Sequence, residues 1–371
     1  MEAYELTIEA KVKISGFRIV STDDFQFQTE RAINPRIVLD HPTISLYCLD
    51  HPNQQAIFVE TPPTVDLLQA PFYFLTQYEQ AQRLIAIPYT TLHELASEVQ
   101  IDPQRIILLY STGRCGSTLL SHVLNQEPAT ASFSEPDVFT QLVMLRAADH
   151  SNDHAIRTLL HDCLMIMCGN AHQRTRQCWA FKFRSYVLTV SDLLYQVVPE
   201  AKILFQYRHP LAWARSFSRA FGMPDEELAE LVHYSHRYLL PRIDLYLQTH
   251  NRPIPYLDFL ASMWISSMQD CRRLQELGAS MACARYEDLK VAPRTAIQAL
   301  LEYCGLPLLD PERLDRVLAA DSQAGTVGAH MDAQEPARRL ADDDLSELDR
   351  LIRQADPTLG PDTILPQTIR P

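Results

Sequence analysis

The sequence is poor in lysine and glycine, and its charge balance is acidic. Five of its 371 residues are lysine and ten are glycine, and its formal net charge is −13 at pH 7. An acidic balance argues against a dedicated nucleic-acid-binding protein, because phosphate contacts require a basic surface. Within residues 101–220, twelve Lys and Arg residues outnumber nine Asp and Glu residues, so the rest of the chain carries −16. We therefore expect an anionic ligand to bind in this segment.

Paired cysteines and long apolar runs are also lacking. The eight cysteines are scattered without a CxxC pair, which is typical of reduced cytoplasmic thiols rather than of disulfides or zinc ligands. No run approaches the ~18 apolar residues of a transmembrane helix, and the N-terminal stretch has no apolar core of a secretion signal. These absences predict a cytoplasmic protein without a metal site or a transmembrane segment.

Hydrophobic periodicity changes near residue 100. Residues 1–100 contain alternating runs such as YELTIEAKVKI and, more loosely, RIVLDHPTISLYCLD, which predict strands before a helix in TTLHELASEV. We interpret them as a β-rich extension or small domain that serves packing or the formation of a homo-oligomer. Residues 101–371 alternate short apolar strands with helices and end in an acidic helical tail. That alternation predicts an α/β fold of three layers, with helices on both faces of a central parallel sheet.

The stretch YSTGRCGSTLL, residues 110–120, lies between a buried strand and a predicted helix. Gly113 and Gly116 let backbone N–H groups approach an anion, and the helix adds its positive end. Arg114 supplies a permanent cation, and the serine and threonine after Gly116 supply hydroxyl donors. The usual triphosphate loop, GxxxxGK[ST], is not matched, because the glycines are too close and a serine replaces the lysine. We predict a loop that binds phosphate or sulfate.

A second anion site is predicted where KILFQYRHPLAWARSFSR passes from a strand into a helix. Arg208 ends the strand, Pro210 suits the start of a helix, and Ser216 follows Arg208 by eight residues. An arginine at a strand end and a serine on the next helix can converge on one phosphate, which the arginine binds in bidentate fashion. The alternative is that Arg208 pairs with a structural carboxylate and that Ser216 is a surface serine.

Together these segments resemble the sulfotransferase family, which has a P-loop-type fold and uses 3′-phosphoadenosine 5′-phosphosulfate (PAPS) as sulfuryl donor. Residues Arg114, Cys115, Gly116, Ser117 and Thr118 match the family's 5′-phosphosulfate loop, [KR]-x-G-[ST]-[ST], and Arg208, Pro210 and Ser216 match its 3′-phosphate motif. RYEDLKVAPRTAIQALLEYCGLP, residues 285–307, resembles a third stretch, in which Tyr286 would lie near the adenine. The resemblance covers roughly residues 104–310. It implies that the residues of the two anion motifs, together with Tyr286, bind PAPS.

The departures from the family pattern point to a branch distant from the cytosolic phenol and steroid enzymes. Leu119 stands where that branch has a tryptophan, residues 182–184 (Lys-Phe-Arg) replace its K-x-H, and its C-terminal RKGxxGxW is absent. DSQAGT, residues 321–326, is the nearest substitute for that last motif. Arginine cannot serve as a base at working pH, so we expect a branch in which a glutamate is the base.

The resemblance implies in-line sulfuryl transfer to a hydroxyl or amine without a required metal. Arg114, the loop hydroxyls and Lys182 would stabilise charge on the leaving oxygen. Glu135, in ASFSEPDVF, is the expected base, and Pro136 is expected to hold its backbone extended. Asp137 is the nearby competitor. The alternatives are that Lys182 forms a structural ion pair and that Glu135 binds the acceptor or pairs with an arginine.

The predicted function is thus a PAPS-dependent sulfotransferase that acts on a small-molecule, lipid or sugar acceptor. One alternative is a nucleotide-dependent P-loop kinase, which would require ATP and Mg²⁺. The other is a catalytically silent nucleotide-binding or assembly module, because a fold alone does not establish an activity. Binding of adenosine 3′,5′-bisphosphate rather than ATP separates the first from the second, and turnover separates it from the third.

Overall fold

The computed structural model of the protein describes residues 3–16, 18–173, 175–233, 239–322 and 338–370. Within them the backbone forms an antiparallel and a parallel sheet, each of five strands, together with helices. This architecture confirms the predicted α/β class and the β-rich N-terminal region. No helix within the described residues is long and apolar enough to cross a membrane.

The antiparallel sheet lies in the first ninety residues. Its strands are β1 (Ala3–Lys11), β2 (Phe25–Ile33), β3 (Ile44–Asp50), β4 (Gln55–Glu60) and β5 (Arg83–Pro88), in the order β2-β1-β5-β4-β3. The loose alternation after Arg36 predicted one long strand, but residues 37–40 form the helical turn α1 (Ile37–Asp40). Helix α2 (Tyr73–Gln80) precedes β5 and helix α3 (Tyr89–Glu98) follows it. The core of this sheet includes the buried side chains of Tyr47, Val59 and Phe74.

The second sheet is parallel and positions the predicted anion motifs. Its strands are β6 (Ile106–Ser111), β7 (Thr130–Ser134), β8 (Cys178–Lys182), β9 (Lys202–Tyr207) and β10 (Met281–Arg285), in the order β10-β9-β6-β8-β7. Every residue of β6, β7 and β8 is buried, as expected for strands that are covered on both faces. Ligands of such sheets bind beyond the carboxyl ends of the strands.

Helices follow the strands of the parallel sheet. They include α4 (Ser117–Leu124), α5 (Val138–Leu145), α6 (Asp153–Gly169), α7 (Ser191–Val197), α8 (Pro210–Phe221), α9 (Asp225–Leu231), α10 (Pro241–His250), α11 (Tyr256–Glu276), α12 (Tyr286–Val291), α13 (Pro293–Tyr303), α14 (Pro311–Ala319) and α15 (Asp342–Ala355). Helix α8 begins at Pro210 as predicted. Proline suits the first helical position, and the Nδ1 atom of His209 accepts a hydrogen bond from the backbone of Ala212 at 3.5 Å.

Contacts divide the chain into two compact units. The first comprises residues 1–108, 124–184 and 192–201, and the second comprises residues 109–123, 185–191 and 202–371. In the first unit, Asn170 donates hydrogen bonds to the carbonyls of Val38 and Ile44, and Gln141 bonds with the backbone of Leu49. Side chains from the α5–α6 region therefore support the antiparallel sheet. The division into an N-terminal extension of residues 1–100 and a P-loop domain of residues 101–371 stays a prediction.

Candidate active site

The predicted anion loop joins β6 to α4 in the second unit. Ser111 ends the strand and Ser117 begins the helix. Gly113, Arg114 and Gly116 have φ angles of 73°, 51° and 83°. Left-handed backbone of this kind forms concavities in which successive N–H groups face an anion. Glycine adopts it freely, whereas Arg114 is strained, so the loop is shaped for something beyond a simple turn.

Hydrogen bonds inside the second unit fix this loop. Ser111 Oγ donates to Ser117 Oγ at 3.3 Å and accepts from the backbone N–H of Gly113 at 3.2 Å. The Cys115 side chain is buried, and its Sγ donates to the carbonyl of Gln206 at 3.4 Å. Cys115 was expected to bind the donor. Its thiol instead anchors the loop to β9, so an anion would meet its backbone rather than its side chain.

Arg208 and Ser216 occur where the sequence places them, after β9 and on α8. Arg208 Nη1 donates to the carbonyl of Arg114 at 3.0 Å, and Arg114 Nε donates to Ser216 Oγ at 3.3 Å. The two predicted anion motifs are therefore hydrogen-bonded to each other. Arg208 Nε is buried without a partner in the described residues, and no carboxylate there pairs with this arginine. The alternative of a structural ion pair at Arg208 thus finds no support.

Tyr286, at the start of α12, contacts both motifs. The centre of the Arg208 guanidinium lies 4.4 Å from the centroid of its ring, within the range of a cation–π interaction. A Cβ atom added to Gly116 would lie 3.3 Å from the same ring. The residue expected near the adenine therefore packs on the arginine of one motif and on the glycine of the other.

Two buried indoles hold the same backbone segments. Trp213 Nε1 donates to the carbonyl of Thr112 at 2.9 Å, and Trp264 Nε1 donates to the carbonyl of Arg208 at 3.0 Å. Neither tryptophan was among the site residues predicted from the sequence. The available signal was that a buried indole N–H requires an acceptor, but the identity of the acceptor depends on the tertiary fold.

In the first unit, Lys182 and Glu135 form an ion pair. The side chains are 4% and 14% exposed, respectively, and the backbone N–H of Glu135 donates to the carbonyl of Lys182 at 2.7 Å. The pair supplies the counter-charge that a buried ammonium requires. The partner of Glu135 is thus a lysine, where the alternative from sequence was an arginine.

The backbone of Glu135 corrects one expectation. Pro136 was expected to hold the backbone of Glu135 extended. The φ angle of Glu135 is instead 60°, in the left-handed region, so that expectation is wrong. Ser134 pairs with Lys182 in the parallel register, and a regular continuation of β7 would turn Glu135 to the face of Phe133, opposite Lys182. The left-handed turn ends the strand and lets the carboxylate reach the lysine. Strain at a non-glycine residue is concentrated at functional sites.

Asp137, the competitor for the role of base, is held as a structural group. Its side chain is fully buried, pairs with Arg184 Nη1 at 3.1 Å and accepts a hydrogen bond from the backbone N–H of Val20 at 3.0 Å. Burial raises the pKa of Asp137 above its usual value, and the charge of Arg184 offsets only part of that rise. A carboxylate without exposed surface lacks access to an acceptor, which leaves Glu135 as the better candidate.

Two further expectations concern metals and the C-terminal motif. In the part of the chain that the structure describes, no group of three or more His, Cys, Asp or Glu side chains is placed to hold a metal ion. Of the stretch DSQAGT, residues 323–326 lie outside the described residues. The contact of this stretch with the donor stays a prediction.

The chain belongs to the sulfotransferase domain family. Residues 104–331, more than half of the chain, match that family. The resemblance noted from the motifs is therefore confirmed, and the protein is an enzyme of the transferase class. No curated protein matches the chain.

Solved structures similar to the chain are distant in sequence. Sulfotransferase STF9 from Mycobacterium avium is 13% identical with a TM-score of 0.43, over 74% of this chain and 82% of that one. A sulfotransferase from Alicyclobacillus acidocaldarius is 14% identical with a TM-score of 0.36, over 68% and 94%. The sulfotransferase domain from the curacin biosynthetic pathway is 17% identical with a TM-score of 0.39, over 72% and 95%.

Proposed function

We propose that this enzyme transfers a sulfuryl group from PAPS to a hydroxyl or amine of a small-molecule, lipid or sugar acceptor. The observation that carries the proposal is that the two anion motifs are hydrogen-bonded to each other. Arg208 donates to the carbonyl of Arg114, and the Arg114 side chain donates to Ser216 Oγ. PAPS has anionic groups on both sides of one adenosine, so it accounts for two motifs. A triphosphate has its charge in a single chain and does not.

The donor would be divided between these motifs. Backbone N–H groups of the loop and the hydroxyls of Ser117 and Thr118, at the positive end of α4, would bind the 5′-phosphosulfate. Arg208 and Ser216 would bind the 3′-phosphate, because the half-buried guanidinium of Arg208 has no carboxylate partner in the described residues and can form charge-assisted hydrogen bonds. The ring of Tyr286 would lie against the adenine.

The transfer requires a base and a group that stabilises charge on the leaving oxygen. In our proposal, Glu135 takes the proton of the acceptor while the acceptor oxygen or nitrogen forms its bond to sulfur. The bond between sulfur and the phosphate oxygen breaks, and adenosine 3′,5′-bisphosphate leaves. Lys182 and Arg114 stabilise the charge on that oxygen, and Lys182 also orients the carboxylate of Glu135. Both members of this pair follow or end strands of the parallel sheet, as ligand-binding residues do in such sheets.

We also propose that the protein works in a reducing compartment. All eight cysteines are buried and none forms a disulfide, which supports a cytoplasmic location. A homo-oligomer formed through residues 1–100 stays a prediction.

The test is a calorimetric titration with adenosine 3′,5′-bisphosphate, with ATP and Mg²⁺ in parallel. We expect micromolar binding of the bisphosphate and weak binding of ATP. Ser117→Ala and Arg208→Ala should weaken bisphosphate binding, the latter by about 10- to 100-fold, because a charge-assisted hydrogen bond is lost. Arg215→Ala is the control, since this α8 arginine forms an exposed ion pair with Asp342. A preference for ATP with Mg²⁺, or no binding of the bisphosphate, would contradict the proposal.

A further inference from the structure

The turn that carries Arg208 contains a backbone N–H group without a partner in its own helix. Helix α8 begins at Pro210, so His209 is its N-cap residue. The Nδ1 atom of His209 accepts a hydrogen bond from the backbone N–H of Ala212 at 3.5 Å. In a capping box, the third helical residue returns a hydrogen bond to the N-cap N–H through a glutamate or glutamine side chain. That residue is Ala212 here, so the N–H of His209 requires an acceptor from another element.

Glu287 of α12, in the same unit, supplies that acceptor. Its Oε1 atom accepts from the backbone N–H of His209 at 3.1 Å. Its Oε2 atom is buried without a hydrogen-bond partner in the described residues. The Nε atom of Arg285 lies 3.9 Å from Oε2, which is beyond hydrogen-bond distance. Within the described chain, the carboxylate of Glu287 therefore makes one hydrogen bond, and that bond goes to the turn.

The same peptide group is held at its other end. The N–H of His209 and the carbonyl of Arg208 belong to one planar unit, and that carbonyl accepts from Trp264 Nε1 at 3.0 Å. Glu287 and Trp264 thus fix both polar groups of this peptide. Because the unit is planar, holding both groups sets its orientation and restricts the ψ angle of Arg208. The backbone from which the Arg208 side chain extends is thereby held in place.

The parallel register of β9 and β10 brings α12 to this turn. The last residues of the two strands are partners in the sheet, and the correspondence continues beyond them. The ring of Tyr286 packs on the guanidinium of Arg208, with 4.4 Å between their centres. The next residue, Glu287, bonds with the next residue of the turn, His209. The start of α12 therefore contacts the turn twice, once through a ring and once through a carboxylate.

The charge of Glu287 does not suit contact with the donor, because a carboxylate and a phosphate repel each other. We propose that Glu287 is a positioning residue. By holding the peptide between Arg208 and His209, it keeps the guanidinium of Arg208 directed at the 3′-phosphate. This inference rests on the proposed function, since it concerns the site to which we assign the 3′-phosphate of PAPS. It adds to that site an acidic residue that acts through the backbone.

The experiment compares Glu287→Ala with Glu287→Gln by calorimetry on the full-length protein, with adenosine 3′,5′-bisphosphate and adenosine 5′-monophosphate as ligands. Alanine removes the acceptor, so the affinity for the bisphosphate should fall about tenfold. The affinity for the monophosphate should be unchanged, because that ligand lacks the 3′-phosphate. Glutamine removes the charge but keeps an oxygen that accepts from the N–H of His209, so its bisphosphate affinity should stay within about threefold of the wild type. Asp288→Ala is the matched control, since this half-buried side chain has no hydrogen bond or ion pair in the described residues.

Hydrogen exchange measured by NMR tests the same contact without a ligand. The amide of His209 should exchange about tenfold faster in Glu287→Ala than in the wild type, and Glu287→Gln should retain most of the protection. If the wild type bound neither nucleotide, the proposed function would fail by itself, and the exchange rates would still decide whether Glu287 holds this peptide.

Four results would overturn the inference. Unchanged bisphosphate affinity in Glu287→Ala would show that the contact does not position Arg208, and tighter binding would show that the charge acts on the ligand directly. Equal losses for both nucleotides would mean that Glu287 supports the unit as a whole. Equal losses in the alanine and glutamine variants would mean that the hydrogen-bond acceptor is not what matters.

Discussion

The anion motifs of the second unit and the Glu135–Lys182 pair of the first unit hold their charges in opposite ways. Arg208 donates to a backbone carbonyl and stacks on Tyr286, and no carboxylate in the described chain balances its charge. Lys182, by contrast, is balanced by Glu135 within the protein. A half-buried cation without a counter-ion is poised to bind an anion, whereas the ion pair places a carboxylate and an ammonium side by side. The first arrangement therefore suits binding of the donor, and the second suits the transfer of a proton.

Neutralising Glu135 should separate the two regions most strongly, because it should affect catalysis and leave donor binding intact. If Glu135 is the base, Glu135→Gln should lower kcat by about 10²- to 10⁴-fold and leave the Kd for adenosine 3′,5′-bisphosphate unchanged. The kcat is measured by transfer from PAPS to an acceptor found by screening, and the Kd by calorimetry. Glu127→Gln, a half-buried glutamate in the connection between α4 and β7, is the matched control. A joint loss of donor affinity and kcat would show that Glu135 supports the donor site instead.

Asp137 tests whether the neighbouring carboxylate differs in kind from Glu135. Asp137→Ala leaves the Arg184 charge and the Val20 N–H without this partner, so it should lower the free energy of unfolding by about 3–5 kcal/mol. Urea denaturation measures this, with exposed Asp149→Ala as the control that should change little. Normal stability of Asp137→Ala combined with a loss of kcat would make Asp137 the better candidate for the base.

The loss of stability in Asp137→Ala should depend on pH. Burial raises the pKa of Asp137, so the folded protein retains this proton to a higher pH than the unfolded chain does. The resulting contribution to stability is fully present below the usual pKa of an aspartate and is lost as the pH rises through the folded pKa. The gap in unfolding free energy between wild type and Asp137→Ala should therefore be wider near pH ~4 than near pH ~7.

The two regions also differ in how far the sequence reveals them. The loop from Gly113 to Thr118 and the Arg208–Ser216 segment are each contained in one strand–turn–helix, so local spacing sufficed to predict their placement. The pairing of Lys182 with Glu135 depends on the parallel register of β7 and β8 and on a left-handed residue before a proline. Neither the register nor the left-handed backbone can be predicted from a local sequence pattern. Strands β4 and β5, six residues each, were likewise too short to show a clear period.

Gly113 and Gly116 sharpen the account of the donor loop. Both have positive φ, so alanine at either position costs about 1–2 kcal/mol of backbone strain. Only at Gly116 would the added Cβ also meet Tyr286, 3.3 Å away, whereas at Gly113 no atom lies within 4 Å. Calorimetry should show bisphosphate affinity reduced about tenfold in Gly113→Ala and further reduced in Gly116→Ala. Equal losses in the two variants would mean that Tyr286 does not restrict the loop.

The smallest expected effects on nucleotide affinity come from the two tryptophans that donate hydrogen bonds to the anion motifs. Trp264→Phe removes the hydrogen bond to the carbonyl of Arg208 and should weaken bisphosphate binding about fivefold. It should leave the affinity for adenosine 5′-monophosphate unchanged, because that ligand lacks the 3′-phosphate. Trp213→Phe, which frees the carbonyl of Thr112 beside the loop, should weaken both ligands.

The third tryptophan of the chain supplies the control for these substitutions. Trp179 is buried in β8 of the first unit, and its Nε1 has no partner in the described residues. Trp179→Phe therefore removes an indole N–H without removing a hydrogen bond, and it should change neither affinity. If Trp264→Phe weakened both nucleotides equally, the indole would stabilise the unit as a whole. A loss confined to the bisphosphate would place its effect at Arg208, because only a disturbed 3′-phosphate site distinguishes the two ligands.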